Sequence, residues 1–122
     1  MKVFLDTNFL VLPFEERIDI FDEIIGLVEA PEIIVLEEVL GELKKIKPKL
    51  YNSVLDLLKL KKVKIVKSNT KSTRASVDDL LLTRASSEKG AIATLDRELK
   101  QKALKQGVPI ISVRGNKLEM RW

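Results

Sequence analysis

Short continuous apolar runs alternate along this chain with longer stretches whose apolar residues recur at helical spacing. Met1–Leu5 is one such run and reads as a first strand. Phe14, Ile18, Phe21, Ile25 and Val28 fall on one face of a helix expected over 14–29. Ile33–Leu36 is a mostly β-branched run, expected as a second strand. Leu36, Val39, Leu40, Leu43 and Ile46 then return to helical spacing, and that helix must end before Pro48. A further helix is expected over 50–60, with Val54, Leu57 and Leu58 facing inward. Val63, Ile65 and Lys67 alternate with Lys62, Lys64 and Val66 as a third strand, and 68–75 is polar and irregular. Ser76 and Asp79 form an S-x-x-D capping signature that opens a helix running to Gly90. Ala91–Leu95 reads as strand four, 97–106 as a helix stopped at Gly107, and Pro109–Val113 as strand five. Leu118–Trp122 is a tail that could add an edge strand.

Strands alternating with helices predict an α/β fold of three layers, with a central five-stranded parallel sheet covered by helices on both faces. Periodicity does not fix the strand order. If it is 3-2-1-4-5, strands one and four are neighbours and the ligand crevice opens where the connections reverse direction. Asp6 and Asp96, each at the end of an apolar run, would then stand side by side at that crevice.

The 122 residues make one domain, 1–122, with room for one core. No apolar stretch approaches the ~20 residues of a membrane span. No secretory signal is read at the start, so a cytoplasmic address and no membrane partner are expected. The absence of Cys excludes disulfides and thiol catalysis, and the absence of His excludes Ser-His-Asp chemistry and the usual zinc sites. The five glycines form no phosphate-cradling loop, which argues against dinucleotide and P-loop nucleotide binding. Carboxylates are the metal ligands that remain, and they suit hard cations such as Mg²⁺ or Mn²⁺. Charge is segregated: residues 15–42 carry ten acids and one base, whereas 59–74 carry seven bases and no acid. A basic block of that kind suits phosphate backbones, although it would equally serve as a solvated face.

Four acids stand out by position. Asp6 is followed by Thr7 and Asn8, two small polar residues on the same turn. Glu42 lies at the border of the apolar stripe of its helix; Glu38, one turn earlier, is the weaker candidate. Asp78 and Asp79 occupy the first turn of their helix, and Asp96 closes A-T-L-D after Thr94. Taken singly, each acid could be a helix cap or a surface charge. Taken together, their expected places lie on one rim, where carboxylates repel unless a cation neutralises them. Acids holding one or two divalent ions are a usual arrangement for phosphodiester hydrolysis.

At these residues the chain resembles the PIN-domain ribonucleases. The resemblance rests on D-T-N at 6–8, E-L at 42–43, D-D-L-L-L-T-R-A at 78–85, A-T-L-D-R-E-L-K at 93–100 and G-V-P-I at 107–110. It covers essentially the whole chain. The stretches DTNFL, IDIFDEI and ATLDRELKQKALKQGVP look most like archaeal relatives of the Fcf-type nucleases that process small-subunit rRNA; VapC-type toxin ribonucleases come next. The resemblance implies the 3-2-1-4-5 sheet, an acidic site for one or two Mg²⁺ or Mn²⁺ ions, and cleavage of single-stranded RNA such as pre-rRNA. It assigns the catalytic and metal-binding roles to Asp6, Glu42, Asp78 and Asp96, with Asp79 as the alternative to Asp78, and supporting roles to Thr7, Asn8 and Thr94. The toxin-like closing Asp-Phe is absent, since Arg97-Glu98-Leu99 follows Asp96.

Lys67, Lys71 and Arg74 are expected to contact RNA phosphates beside the acids, with Arg97 and Arg114 as weaker candidates. Two other functions stay open: a VapC-type toxin, which needs an antitoxin partner, and a non-catalytic RNA-binding or ribosome-assembly module. The apolar helix at 14–29 leaves homodimerisation open as well.

Overall fold

A computed structural model describes residues 1–68 and 75–122. Its sheet has six strands in the order β3-β2-β1-β4-β5-β6. The strands are β1 (Lys2–Leu5), β2 (Glu32–Leu36), β3 (Lys64–Val66), β4 (Ala91–Ala93), β5 (Ile110–Arg114) and β6 (Lys117–Arg121). The first five are parallel, in the expected order. The expectation of five strands is corrected by β6, which pairs antiparallel with β5. Gly115 and Asn116 make the turn between them, with Gly115 at φ +64°, a backbone that a two-residue hairpin needs and glycine adopts freely. The outer edge of β6 is partly covered from above: the Leu118 N–H donates to the Glu23 carboxylate at 3.0 Å.

The helices are α1 (Thr7–Leu10), α2 (Leu12–Glu15), α3 (Ile20–Leu27), α4 (Glu37–Ile46), α5 (Pro48–Leu60), α6 (Val77–Ser87) and α7 (Arg97–Lys105). The single helix expected over 14–29 is two. Arg17 sits at φ +54° and breaks the helical path. Asp19 then caps α3 by accepting the Asp22 N–H at 3.0 Å. The break re-phases the apolar stripe, so Ile18, Phe21 and Val28 are buried while Phe14 and Ile25 are exposed. α5 starts at Pro48 rather than at 50, because proline at the first helical turn costs no hydrogen bond. In β3 the expected alternation is also corrected: Ile65 is exposed and Val66 is half-buried, as befits a three-residue edge strand.

The core lies on both faces of the central strands. Val3, Phe4 and Leu5 of β1 are fully buried, as are Ala91, Ile92 and Ala93 of β4 beside it. A parallel sheet covered on two sides needs such unbroken apolar runs. Gly90 does not stop α6 by its conformation. The left-handed residue there is Lys89 at φ +53°, and the Gly90 N–H closes the turn on the Ala85 carbonyl at 2.8 Å. Glycine is required at 90 because a Cβ would lie 2.8 Å from the Lys2 carbonyl oxygen and 3.0 Å from the Phe4 ring. No helix among the described residues is long and apolar enough to cross a membrane.

Candidate functional site

β1 and β4 run side by side, and their chains lead away to opposite sides of the sheet. Asp6 follows β1 directly, and its N–H donates to the Ala93 carbonyl at 2.9 Å, which brings it level with Thr94. Asp6 is 4% exposed, so its charge is held close to the core. One carboxylate oxygen accepts the Thr7 N–H at 2.8 Å, and the other accepts the Thr94 hydroxyl at 2.6 Å. The Thr94 hydroxyl in turn accepts the Asp96 N–H at 3.0 Å. Asp96 caps α7 by accepting the Leu99 N–H at 3.0 Å. Asn8 Oδ1 accepts the Leu95 N–H at 3.1 Å, which ties the turn after β1 to the turn after β4. Asp6 and Asp96 are thus both helix caps and rim acids, and the two roles do not exclude each other. A carboxylate oxygen that accepts one hydrogen bond keeps acceptor capacity for another partner.

Burial pushes the Asp6 carboxyl above its usual value; the Thr94 and Thr7 hydrogen bonds oppose this, and the charges of Glu42 and Asp96 add to the rise. Asp78 behaves more strongly. Burial, followed by the charges of Asp6, Asp96 and Glu42, raises it from 3.8 to about 6, and Lys102 only partly compensates. The four acids expected to form the site therefore share one electrostatic field. Asp78 is half-buried and faces that field. Asp79 is exposed, and its N–H donates to the Ser76 hydroxyl at 3.1 Å, as the capping signature predicts. The acids do not converge fully: among the described residues no three acidic side chains form a ready cage for an ion. The donor set still fits a hard divalent cation. It offers oxygen only, its charges repel, and the buried Thr7 hydroxyl beside Asp6 has no hydrogen-bond partner.

The basic residues divide. Lys67 is exposed at the end of β3, and Arg97 is exposed at the start of α7. Arg114 is 84% exposed at the end of β5, in a loose ion pair of 3.7 Å with Glu119. Lys71 and Arg74 lie outside the described residues. Lys61, Lys62 and Lys64 belong to the opposite end of the sheet, around a hollow of about 460 Å³ that holds none of the candidate acids. Lys102 was not among the expected site residues. Its charge acts on Asp78, which lies on a different helix, so no spacing rule within one helix relates the two.

A family model described as PIN like domain matches residues 3–116. The chain is 31% identical over 121 residues to the rRNA-processing protein fcf1 of Schizosaccharomyces pombe, using 97% of this chain and spanning 62% of that protein. It is 32% identical over 126 residues to Ribonuclease VapC4 of Methanocaldococcus jannaschii, covering 95% of this chain and 92% of that one. Among solved structures, that of the PIN domain endonuclease Utp24 superposes with a TM-score of 0.82 at 28% identity, covering 98% of this chain and 90% of that one. VapBC2 from Rickettsia felis, bound to a promoter DNA fragment, shares the fold alone, with a TM-score of 0.67 at 18% identity over 93% of this chain and 100% of that one.

Proposed function

The chain belongs to the PIN-like domain family, and from that premise we propose that it is a metal-dependent endoribonuclease acting on single-stranded RNA, with precursor rRNA as the substrate class. The observation that carries this reading is the approach of Asp6, Glu42, Asp78 and Asp96 at one rim, where Asp6 is buried beside a Thr7 hydroxyl without a hydrogen-bond partner and where burial, then the charges of the other three acids, raises Asp78 to about 6. Asp6, Asp78 and Asp96 would hold one or two Mg²⁺ or Mn²⁺ ions, and Glu42 would orient the attacking water and take its proton. When bound, such an ion supplies positive charge opposite the scissile phosphate and makes the attacking water more acidic. Thr94 and Asn8 keep the two rim turns in register, so the acids stay in place as the strand binds. Lys67, Arg97 and Arg114 would hold RNA phosphates along the rim without reading sequence.

The rRNA-processing reading is favoured by the likeness to the rRNA-processing protein fcf1, and endonuclease activity by the likeness to the Utp24 endonuclease. A VapC-type toxin is the second reading, favoured by 32% identity along 92% of an archaeal VapC ribonuclease. Co-purification of a small partner that silences cleavage would select it. The test of the common core is Asp6→Asn. It keeps the size of the side chain and should abolish Mn²⁺-dependent cleavage of single-stranded RNA while the circular dichroism stays unchanged. Undiminished cleavage by the purified variant would sink the proposal. Failure of the parent protein to bind Mn²⁺ in calorimetry would favour a non-catalytic RNA-binding module instead.

A further inference from the structure

One peptide group is gripped at both poles by two different helices. The carbonyl of Lys67 accepts a hydrogen bond from Arg84 Nη1 at 2.8 Å. The N–H on the other side of the same peptide bond, that of Ser68, donates to both carboxylate oxygens of Glu38 at 3.3 Å. The Ser68 hydroxyl donates to Glu38 as well, and Ser68 is only 6% exposed. In a trans peptide the C=O and N–H point in opposite directions, so the two grips pull from opposite sides of a rigid plane. Arg84 is itself held: its Nε donates to Glu88, which also receives Lys2 Nζ at 2.6 Å, and its guanidinium carbon lies 5.9 Å from the centre of the Phe4 ring.

The two grips come from the helices that carry the two site acids lying outside the β1 and β4 turns. Glu38 is on α4, one turn before Glu42, so both point along one face. Arg84 is on α6, whose first turn holds Asp78. α4 and α6 share no extended contact of their own. We propose that the Lys67–Ser68 peptide is a cross-brace that sets the spacing between α4 and α6, and with it the separation of Glu42 from Asp78. Glu38 and Arg84 are then positioning residues. They touch neither substrate nor cation but fix where two carboxylates stand. Burial pushes the Glu38 carboxyl up, yet the Ser68 hydrogen bonds and the Arg84 charge hold it below its usual value, consistent with a carboxylate charged in its bracing role. The consequence for the cation rests on the function proposed above; the spacing itself does not.

The chain has no cysteine, so spin labels can be placed cleanly. Lys45→Cys on α4 and Thr83→Cys on α6 are both exposed positions, and the distance between their nitroxides reports the helix spacing. The parent pair should give one narrow distance distribution. Glu38→Ala should shift or broaden it, and Glu38→Gln, which can still accept the Ser68 N–H, should restore it. Should Glu38→Ala fail to fold, Arg84→Met releases the other pole and makes the same demand. An unchanged distribution in the folded variants overturns the brace. In the unlabelled protein, Glu38→Ala should weaken Mn²⁺ binding by about 10- to 100-fold, the usual range for residues that orient ligands from behind, with Glu38→Gln close to the parent. A changed spacing with unchanged Mn²⁺ affinity overturns the link to the acids. A parent that binds no Mn²⁺ overturns the nuclease reading, while the label distances still decide the brace.

Discussion

Replacing Asp78 with Asn should make the metal-free protein more stable at neutral pH, although it removes an acid from the favourable first turn of a helix. An acid there normally gains from the exposed N–H groups and the helix dipole. Asp78 instead rises from 3.8 to about 6, because burial and then Asp6, Asp96 and Glu42 outweigh Lys102. Between about pH 4 and 6 the folded chain keeps a proton that the unfolded chain has released, so stability falls as pH rises through that window. The penalty is complete above about pH 6. A displacement of this size is worth at most about 3 kcal/mol. Asp78 is partly open to solvent, and screening brings the figure to roughly 1–1.5 kcal/mol. Asp78→Asn should therefore exceed the parent by that amount at pH 7.5 with chelator present, and the gap should close toward pH 4. Urea unfolding followed by far-ultraviolet circular dichroism measures it; the only tryptophan, Trp122, is 79% exposed and a poor reporter of the core. Added Mn²⁺ should reverse the order, since a ligand at 100 times its Kd stabilises the folded parent by about 2.7 kcal/mol. A variant no more stable than the parent at pH 7.5, or a gap that persists at pH 4, would refute the reasoning.

Thr94→Val removes the hydroxyl that serves Asp6 and the Asp96 N–H together, and should cost about 1–3 kcal/mol in chemical denaturation. Gly90→Ala forces a methyl group against the β1 backbone and should cost about 1–3 kcal/mol, visible as a lowered Tm with the fold retained. Arg97→Ala should weaken RNA binding alike for all sequences and reduce the slope of log K against log salt by about 0.7, as fluorescence anisotropy at several salt concentrations would register.

The parallel strands were legible because a strand buried on both faces must be an unbroken apolar run, as VFL, IIVL and AIA are. The break at Arg17 was not, because Phe14, Ile18 and Phe21 keep helical spacing in the sequence across it and the left-handed turn leaves no pattern in apolar positions. Asp19 could have signalled it as a cap. β6 was visible only as a tail, since Leu118 is its one buried residue. In the candidate site, Asp6, Asp78 and Asp96 were legible because strand ends and helix starts share one rim in such sheets. Asp78 and Asp79 differ in surroundings only in the third dimension, where Asp78 is half-buried near the other acids and Asp79 is exposed. Lys102 and the Glu38–Ser68 contact were not legible, because long-range pairs carry no sequence periodicity.

The sheet treats its two edges differently, and this bears on how the protein behaves in concentrated solution. Any unpaired strand edge is a template on which another chain can add. At β6 the Glu23 carboxylate occupies the Leu118 N–H, so one hydrogen-bonding position is spent inside the molecule. At β3 the edge is three residues long and bracketed by Lys64 and Lys67, whose like charges repel a second copy in the same register. Raising the salt or neutralising those two lysines lowers that barrier, and growth by edge pairing would then begin at β3.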